Sequence, residues 1–224
     1  MLLLTISGLL FISPSYARRK SPPRENPIDK ILAQADFNPS QFAGKWYLVG
    51  VASRCGYLRD NSHRLEPVNI MASVISTAPQ GSMLINTFRP SDGICWNIRQ
   101  VYSPAGTPGR FILRDRGRPV DIVIGETDYR SYAIVFYQKS RQISVKLYGR
   151  NIQTSDSIVA KFEQLVTGVG LSEDLTYYFP TYGFCDSADQ FHILDAKHIT
   201  NRQGKHLVAD NFRISGCPEL ESEV

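Results

Sequence analysis

The most reactive side chains of this 224-residue chain belong to four cysteines, Cys55, Cys95, Cys185 and Cys217. Four cysteines allow three disulfide pairings, and their spacing alone does not choose among them. Because there is no Cys-x-x-Cys pair and the four histidines are scattered, a zinc site is not expected. No Ser/His/Asp set, paired-carboxylate signature or phosphate loop is evident either. The sequence therefore favours disulfide chemistry over catalysis and predicts no catalytic residue, no metal and no cofactor.

The amino-terminal residues indicate the compartment in which these cysteines are oxidised. Residues 1–17 carry no charge, 2–12 are mostly apolar, and 15–17 read Ser-Tyr-Ala, a small-x-small cleavage signal. This pattern predicts a signal peptide over 1–17 and a protein secreted into the extracellular fluid, such as blood plasma. Disulfides persist there. The formal net charge is only +4, and no basic stripe with interleaved aromatics follows, so nucleic acid is not expected as a partner.

Short apolar stretches separated by turn residues predict the strands that position the cysteines. The first strand opens behind Asn38-Pro39, and simple alternation places Trp46, Leu48 and Gly50 on one of its faces. Eight antiparallel strands form the smallest barrel that can hold one small ligand. The predicted strands are 45–53, 68–77, 83–88, 95–102, 111–114, 120–125, 132–137 and 143–148.

One amphipathic helix is predicted after the last of these strands. Apolar residues recur at helical spacing over 155–170, and Ser155 is the expected N-cap. The residues on either side of the barrel have other compositions. They give a flexible, basic and proline-rich arm over 18–35, a barrel domain over 36–195 and a poorly ordered polar extension over 196–224.

Three stretches give the chain its family resemblance. Gly44-Lys45-Trp46, Thr127-Asp128-Tyr129 and the strand-terminal Arg150 occur in the order of the three conserved motifs of the lipocalins. The resemblance implies an all-β fold, an eight-stranded antiparallel up-and-down barrel with one C-terminal flanking α-helix. It also implies that the Arg150 guanidinium packs over the Trp46 ring and donates to nearby backbone carbonyls, which closes the barrel floor.

The resemblance also proposes roles for the cysteines. A disulfide common in lipocalins ties the C-terminal tail to a central strand, and Cys95 and Cys185 stand at the matching positions. If that bridge forms, Cys55 is left to pair with Cys217 or with another protein.

A candidate pocket follows from side-chain parity. Since Arg150 points inward at the floor, Lys146 and Tyr148 share its face. The resemblance to retinol-binding relatives implies that alternate residues of the preceding strand also point inward. Tyr102 ends the fourth strand and is expected to reach the cavity. The predicted ligand-pocket residues are Tyr102, Val135, Tyr137, Lys146 and Tyr148.

Several strings are similar to a complement-associated branch of the lipocalins. They lie at 41–44, 92–96, 145–148, 182–186 and 188–192. The resemblance implies a non-enzymatic secreted subunit that is joined through Cys55 to the alpha chain of complement component eight. Such a subunit also contacts that chain with its barrel mouth and meets membranes only through the membrane attack complex.

Two other functions stay open at this point. One is a free extracellular carrier of a small lipophilic molecule, as many lipocalins are. The other is an enzyme like the lipocalin-type prostaglandin isomerase, which uses a thiol on its second strand. The matching stretch here, 68–76, contains no cysteine, so the enzyme is not expected.

Overall fold

The structure is a computed structural model that describes residues 25–114 and 118–193. Within these residues there are ten strands and three α-helices, with short 3-10 turns at Pro27–Lys30, Ser62–Arg64 and Glu173–Leu175. The helices are α1 (Pro39–Phe42), α2 (Gly56–Asn61) and α3 (Asp156–Gly168). The strands are β1 (Gly44–Ser53), β2 (Asn69–Val74), β3 (Met83–Ser91), β4 (Ile94–Pro104), β5 (Arg110–Leu113), β6 (Val120–Thr127), β7 (Tyr132–Lys139), β8 (Gln142–Gly149), β9 (Thr176–Tyr178) and β10 (Gln190–Ile193).

The first eight strands close into an antiparallel barrel. Each strand from β1 to β8 pairs with its sequence neighbours, and the β1–β8 pairing completes the ring. This closed meander with one long helix after β8 confirms the predicted fold class. The observed strand limits differ from the predicted ones by a few residues, because turn residues mark a strand's end only approximately.

A bulge in β1 corrects the predicted side-chain parity of that strand. Leu48 is paired with Tyr148, but the next pair is Gly50 with Leu147, so β1 contains one extra residue. The extra residue reverses the alternation beyond it. Val51 therefore joins Trp46 and Leu48 in the interior cluster, and the prediction that Gly50 shares their face is wrong.

The barrel wall separates two apolar clusters. One fills the interior, and the other lies between the outer surface and α3. Phe162 and Val166 of α3 are at most 2% exposed and belong to the outer cluster with Phe136 and Leu147. The helix packs on the outside because its apolar residues recur every three or four positions and form one stripe.

The described part of the amino-terminal arm packs on the barrel. Ile28 is buried and its N–H donates to Gln138 Oε1 at 2.9 Å, while Gln34 Oε1 accepts from the Thr127 N–H at 2.9 Å. The described part of this arm therefore contacts the barrel at Ile28 and Gln34. The predicted signal peptide at 1–17, the rest of the arm and the extension at 196–224 lie outside the described residues.

Two short strands follow α3 and were not predicted. β9 pairs antiparallel with β1, and β10 pairs parallel with β4. Strands of three and four residues are too short to show alternation, so only their pairing partners reveal them. Over residues 25–114 and 118–193, no helix combines the length and apolar character needed to cross a membrane.

Candidate functional site: the barrel interior and its mouth

The floor of the barrel is closed by Trp46 and Arg150. Trp46 is fully buried, its Nε1 donates to the Phe42 carbonyl at 2.8 Å, and Arg150 Cζ lies 3.7 Å from its ring centroid. A Cβ added to Gly44 would lie 3.0 Å from Arg150 Nη1, so this position, whose φ is +104°, needs glycine. The Arg150 guanidinium donates to the carbonyls of Gln41, Phe42, Ala43, Lys45 and Tyr129 at 2.9–3.3 Å.

The turn between β6 and β7 supports this floor. Asp128 accepts from the N–H groups of Arg130, Ser131 and Tyr132 at 2.8–3.0 Å and from the Ser131 hydroxyl. Burial by itself raises the pKa of Asp128, but these hydrogen bonds outweigh it and lower the pKa to about 2. The Tyr129 N–H donates to Thr127 Oγ1 at 2.9 Å. The motif residues therefore hold the turn that supports the floor.

The interior above the floor contains three buried tyrosine hydroxyls and a buried ammonium. The Tyr137 hydroxyl lies 3.3 Å from that of Tyr102 and 3.5 Å from that of Tyr148. Lys146 Nζ lies 5.0 Å from the centroid of the Tyr137 ring, and Lys146 is paired in register with Val135. The five predicted pocket residues are thus brought together and are each at most 5% exposed. Their role in ligand binding stays a prediction.

Lys146 dominates the electrostatics of this interior. It is the one charged side chain among the described buried residues, which include no Asp or Glu. Lys146 and the three tyrosines each have a further contact. The interior therefore has hydrogen-bond donors and a cation, which suit an anionic or carbonyl-bearing occupant.

Three further polar residues line the interior. Ser144 lies on the predicted inward face of Lys146 and Tyr148, whereas Ser53 and Gln100 were not predicted from the sequence. Ser53 Oγ and Ser144 Oγ lie 3.2 Å apart and are both buried. Gln100 pairs with Ile85 and precedes Tyr102 by two residues, which places it on the interior face of β4. Its Nε2 is buried and has no hydrogen-bond partner among the described residues. Gln100 could have been predicted to face inward, because it lies two residues before Tyr102 on the same strand. Ser53 could not, because the β1 bulge that turns it inward leaves no sign in the sequence.

The mouth is the end of the barrel opposite the floor, where β1 ends and residues 54–68 begin. Cys55 precedes α2 as its N-cap, is 6% exposed, and donates its N–H to Ser53 Oγ at 3.2 Å. The structure holds Cys55 as a disulfide-bonded cysteine. Cys217, the alternative partner named from the sequence, lies outside the described residues.

The loop at the mouth carries charges of both signs, with three arginines, Asp60 and Glu66. Arg54, Arg59, His63 and Arg64 are exposed, and Arg59 pairs with Asp60 at 3.0 Å. Arg54 donates to the Gly170 carbonyl at 2.5 Å and so ties the loop to the end of α3. The mouth therefore has a small excess of positive charge at its edge.

A second disulfide fixes the segment after α3. Cys95 and Cys185 are joined with their Cα atoms 5.7 Å apart, and 90 residues separate them. This is the pair that the family resemblance implied. Next to it the Cys95 N–H donates to Asp189 Oδ2 at 2.8 Å, where β10 begins its pairing with β4.

Comparisons with known proteins agree with this geometry. The profile of the Lipocalin / cytosolic fatty-acid binding protein family matches residues 43–181. Complement component C8 gamma chain of Oryctolagus cuniculus is 45% identical over 193 residues, which cover 84% of this chain and 93% of that protein. Protein AMBP of Bos taurus is 28% identical and the match covers 83% of this chain but only 54% of that protein.

Two further relatives are more distant. Lipocalin-15 of Homo sapiens is 26% identical, with 70% of this chain and 85% of that protein covered. The solved structure described as the siderocalin Ex-FABP superposes with a TM-score of 0.57 at 20% identity, covering 64% of this chain and 97% of that one. At that identity the superposition shows the fold alone.

Proposed function

This chain belongs to the lipocalin family, and on that premise we propose that it is a non-enzymatic, secreted binding subunit of complement component eight. The observation that carries the proposal is the 45% identity to the rabbit gamma chain over 93% of that protein. In this proposal residues 1–17 are a signal peptide that is removed on export, and the barrel domain is the functional unit.

We propose the alpha chain of complement component eight as the partner, held by the mouth and by Cys55. Exposed Arg54 and Arg64 offer cations to an acidic surface, and the interior offers donors to a segment that enters the barrel. Barrel contacts give recognition first, and a disulfide then makes the association permanent. The complete assembly reaches a membrane only as part of the membrane attack complex.

Formation of that bond requires disulfide exchange, because Cys55 is disulfide-bonded in the structure. A thiolate of the partner attacks Cys55 Sγ, the existing S–S bond breaks, and the displaced cysteine leaves as a thiolate. One disulfide replaces another, so no oxidant is consumed. The position of Cys55 at the edge of the mouth brings its sulfur close to any chain that docks there.

Co-secretion with the alpha chain tests this function. We expect the full chain to co-purify with the alpha chain and to stay joined to it in denaturant until reductant is added. Cys55→Ser should still co-purify in native buffer but should separate in denaturant alone. Ser62→Ala is an exposed substitution in the same loop that leaves all cysteines in place; it is the matched control and should keep the interchain bond. If the unsubstituted chain emerges as a free monomer with and without reductant, the proposal is refuted.

A second function, a free carrier of a small lipophilic molecule, is favoured by the interior itself. The three buried tyrosines beside Lys146 resemble the sites that bind lipophilic carboxylic acids. Such sites have apolar walls and a small number of polar groups. Titration of the secreted chain with retinoids and fatty acids tests it. If the chain binds one of these ligands saturably and does not capture the alpha chain, the carrier function is supported and the subunit function is not.

A further inference from the structure

A groove runs between the amino-terminal arm and the turn that joins β4 to β5. It has a volume of about 480 Å³ and is lined mainly by apolar atoms. Its walls are Asp29 and residues 31–36 on the arm side, with Thr107, Pro108 and Arg110 opposite. The turn lies at the floor end of the barrel, since the register of β2 and β3 connects Gly44 at the floor to Tyr102, near the end of β4. A partner held at the mouth therefore leaves this groove accessible.

The arm that forms one wall is fixed at both ends and in the middle. Ile28 and Phe37, which bracket residues 29–36, are 2% and 6% exposed. Between them the Gln34 N–H donates to the Ile124 carbonyl at 2.8 Å. The wall is therefore pre-formed, and little ordering of the protein is needed when a ligand binds.

The two walls also contact each other directly. The Arg110 guanidinium donates to the carbonyls of residues 28, 29 and 31 at 2.5–3.5 Å. A Cβ added to Gly109 would lie 3.2 Å from Ala33 Cβ, so the turn approaches the arm as closely as a glycine allows. These contacts set the width of the groove.

Leu32 stands exposed at the edge of the groove. It is 86% exposed, the highest value among the large apolar side chains of the described residues that are exposed. A single exposed leucine is common on protein surfaces. Here it adjoins a mainly apolar groove, so a ligand that fills the groove also covers this side chain and removes apolar area from water.

The charges of the groove select a cation. Asp29 and Asp36 line it and are both exposed. Arg110 is the one cation among the lining residues, and its guanidinium is occupied by arm carbonyls. Burial, and next the charge of Asp29, raises the pKa of Asp121 on β6, while Arg110 lowers it. A positively charged ligand meets at least two carboxylates here.

The arm backbone favours a peptide over a small amine. The N–H groups of Ala33 and Ala35 and the Ala33 carbonyl make no hydrogen bond with a described residue. An extended peptide that lies beside a chain segment supplies backbone donors and acceptors to such groups, while its side chains give specificity. Apolar and cationic side chains on one peptide then match Leu32 and the two aspartates.

We infer that the groove between residues 29–36 and 107–110 docks an extended, cationic segment of a protein partner. Its lysine or arginine side chains pair with Asp29 and Asp36, and an apolar side chain covers Leu32. This surface is separate from the mouth and from Cys55, so the inference does not rest on the proposed function.

The test uses the full chain secreted alone and a dansylated hexapeptide amide of alternating lysine and leucine, followed by fluorescence anisotropy. A matched peptide carries glutamate in place of lysine. The lysine peptide should bind about tenfold more tightly than the glutamate peptide at low salt. This preference should shrink as NaCl is added, because the carboxylates are exposed and are screened.

Two variants locate the binding to the groove. Asp29→Asn combined with Asp36→Asn should weaken binding of the lysine peptide about fivefold, because two exposed ion pairs are lost. Leu32→Ala should weaken it about tenfold, because most of the covered apolar area is lost. Asp60→Asn combined with Asp92→Asn removes the same charge from exposed positions at the mouth end. It is the matched control, with no change expected.

The changed side chains are exposed, so Tm should be unaltered, and a loss of binding at the parent's Tm reports the groove itself. The inference is overturned if the lysine and glutamate peptides bind alike, if the variant lacking both groove carboxylates binds like the control, or if Leu32→Ala leaves binding unchanged. Because Cys55 and the mouth residues 53–58 are unaltered and no alpha chain is present, none of these outcomes bears on the proposed function.

Discussion

Replacing Arg150 with lysine tests whether a multidentate guanidinium, and not positive charge alone, closes the barrel floor. Arg150 donates to five carbonyls and covers the Trp46 ring at 3.7 Å. Lysine keeps the charge but concentrates three donors at one point. We expect it to lose two or three of these hydrogen bonds, because their acceptors lie on different sides of the planar group.

The expected destabilisation follows from the hydrogen bonds that lysine cannot make. Each of them is worth about 1 kcal/mol net, and weakening of the ring contact adds about 0.5–1 kcal/mol. Arg150→Lys should therefore lower the free energy of unfolding by about 3 kcal/mol. For a domain of this size that lowers Tm by roughly 6–12 °C. Urea unfolding and calorimetry at neutral pH measure both quantities.

Three variants make this measurement specific. Arg130→Lys is the matched control, since Arg130 is exposed on the neighbouring turn, and it should leave stability unchanged. Trp46→Ala should cost about 3–5 kcal/mol as a large-to-small core change, and the double variant should cost less than the sum by about 1 kcal/mol. An Arg150→Lys protein within about 0.5 kcal/mol of the parent, or a coupling of zero, would refute the reasoning.

Other substitutions test the turns, the wall and the tail. Gly125→Ala should destabilise by about 1–3 kcal/mol, because its Cβ would lie 2.4 Å from Phe136 Cε2 in the packed outer cluster; urea midpoints should show no such loss for Gly168→Ala, which has open space around it. Asp128 has a folded-state pKa of about 2, below the unfolded value, so its stabilisation is present above about pH 4 and disappears as pH falls towards 2. Asp128→Asn should thus lower Tm at pH 7 and flatten its decline between about pH 5 and 2, and parallel acid titrations of the two proteins would contradict this. Replacing both members of the Cys95–Cys185 bridge with serine should cost about 4–5 kcal/mol by urea unfolding in the chain-entropy account of a 90-residue loop, and an unchanged midpoint would show that β10 alone holds the tail.

Local sequence patterns determined the fold class. The strands of the barrel and α3 show their own periodicity, because each buries one face and the side chains on that face must be apolar. The contact that closes the floor was implied by the family resemblance, because Trp46 and Arg150 lie far apart in the sequence and no local pattern joins them. The tail bridge was assigned by resemblance to the family, because four cysteines admit three pairings on spacing alone.

The tertiary structure decided which side chains share the interior. The bulge in β1 turned Val51 and Ser53 inward, and alternation in the sequence gives no sign of an extra residue in a strand. Packing of Ile28 on the barrel and the pairing of β9 and β10 depend on partners far away in the sequence, so the short segments themselves predict nothing. Parity and the family resemblance predicted that Lys146 and the three tyrosines share the interior, and the tertiary structure added Gln100 to this group. Strands distant in sequence meet only when the sheet closes, and closure of the ring brings their polar side chains into one interior.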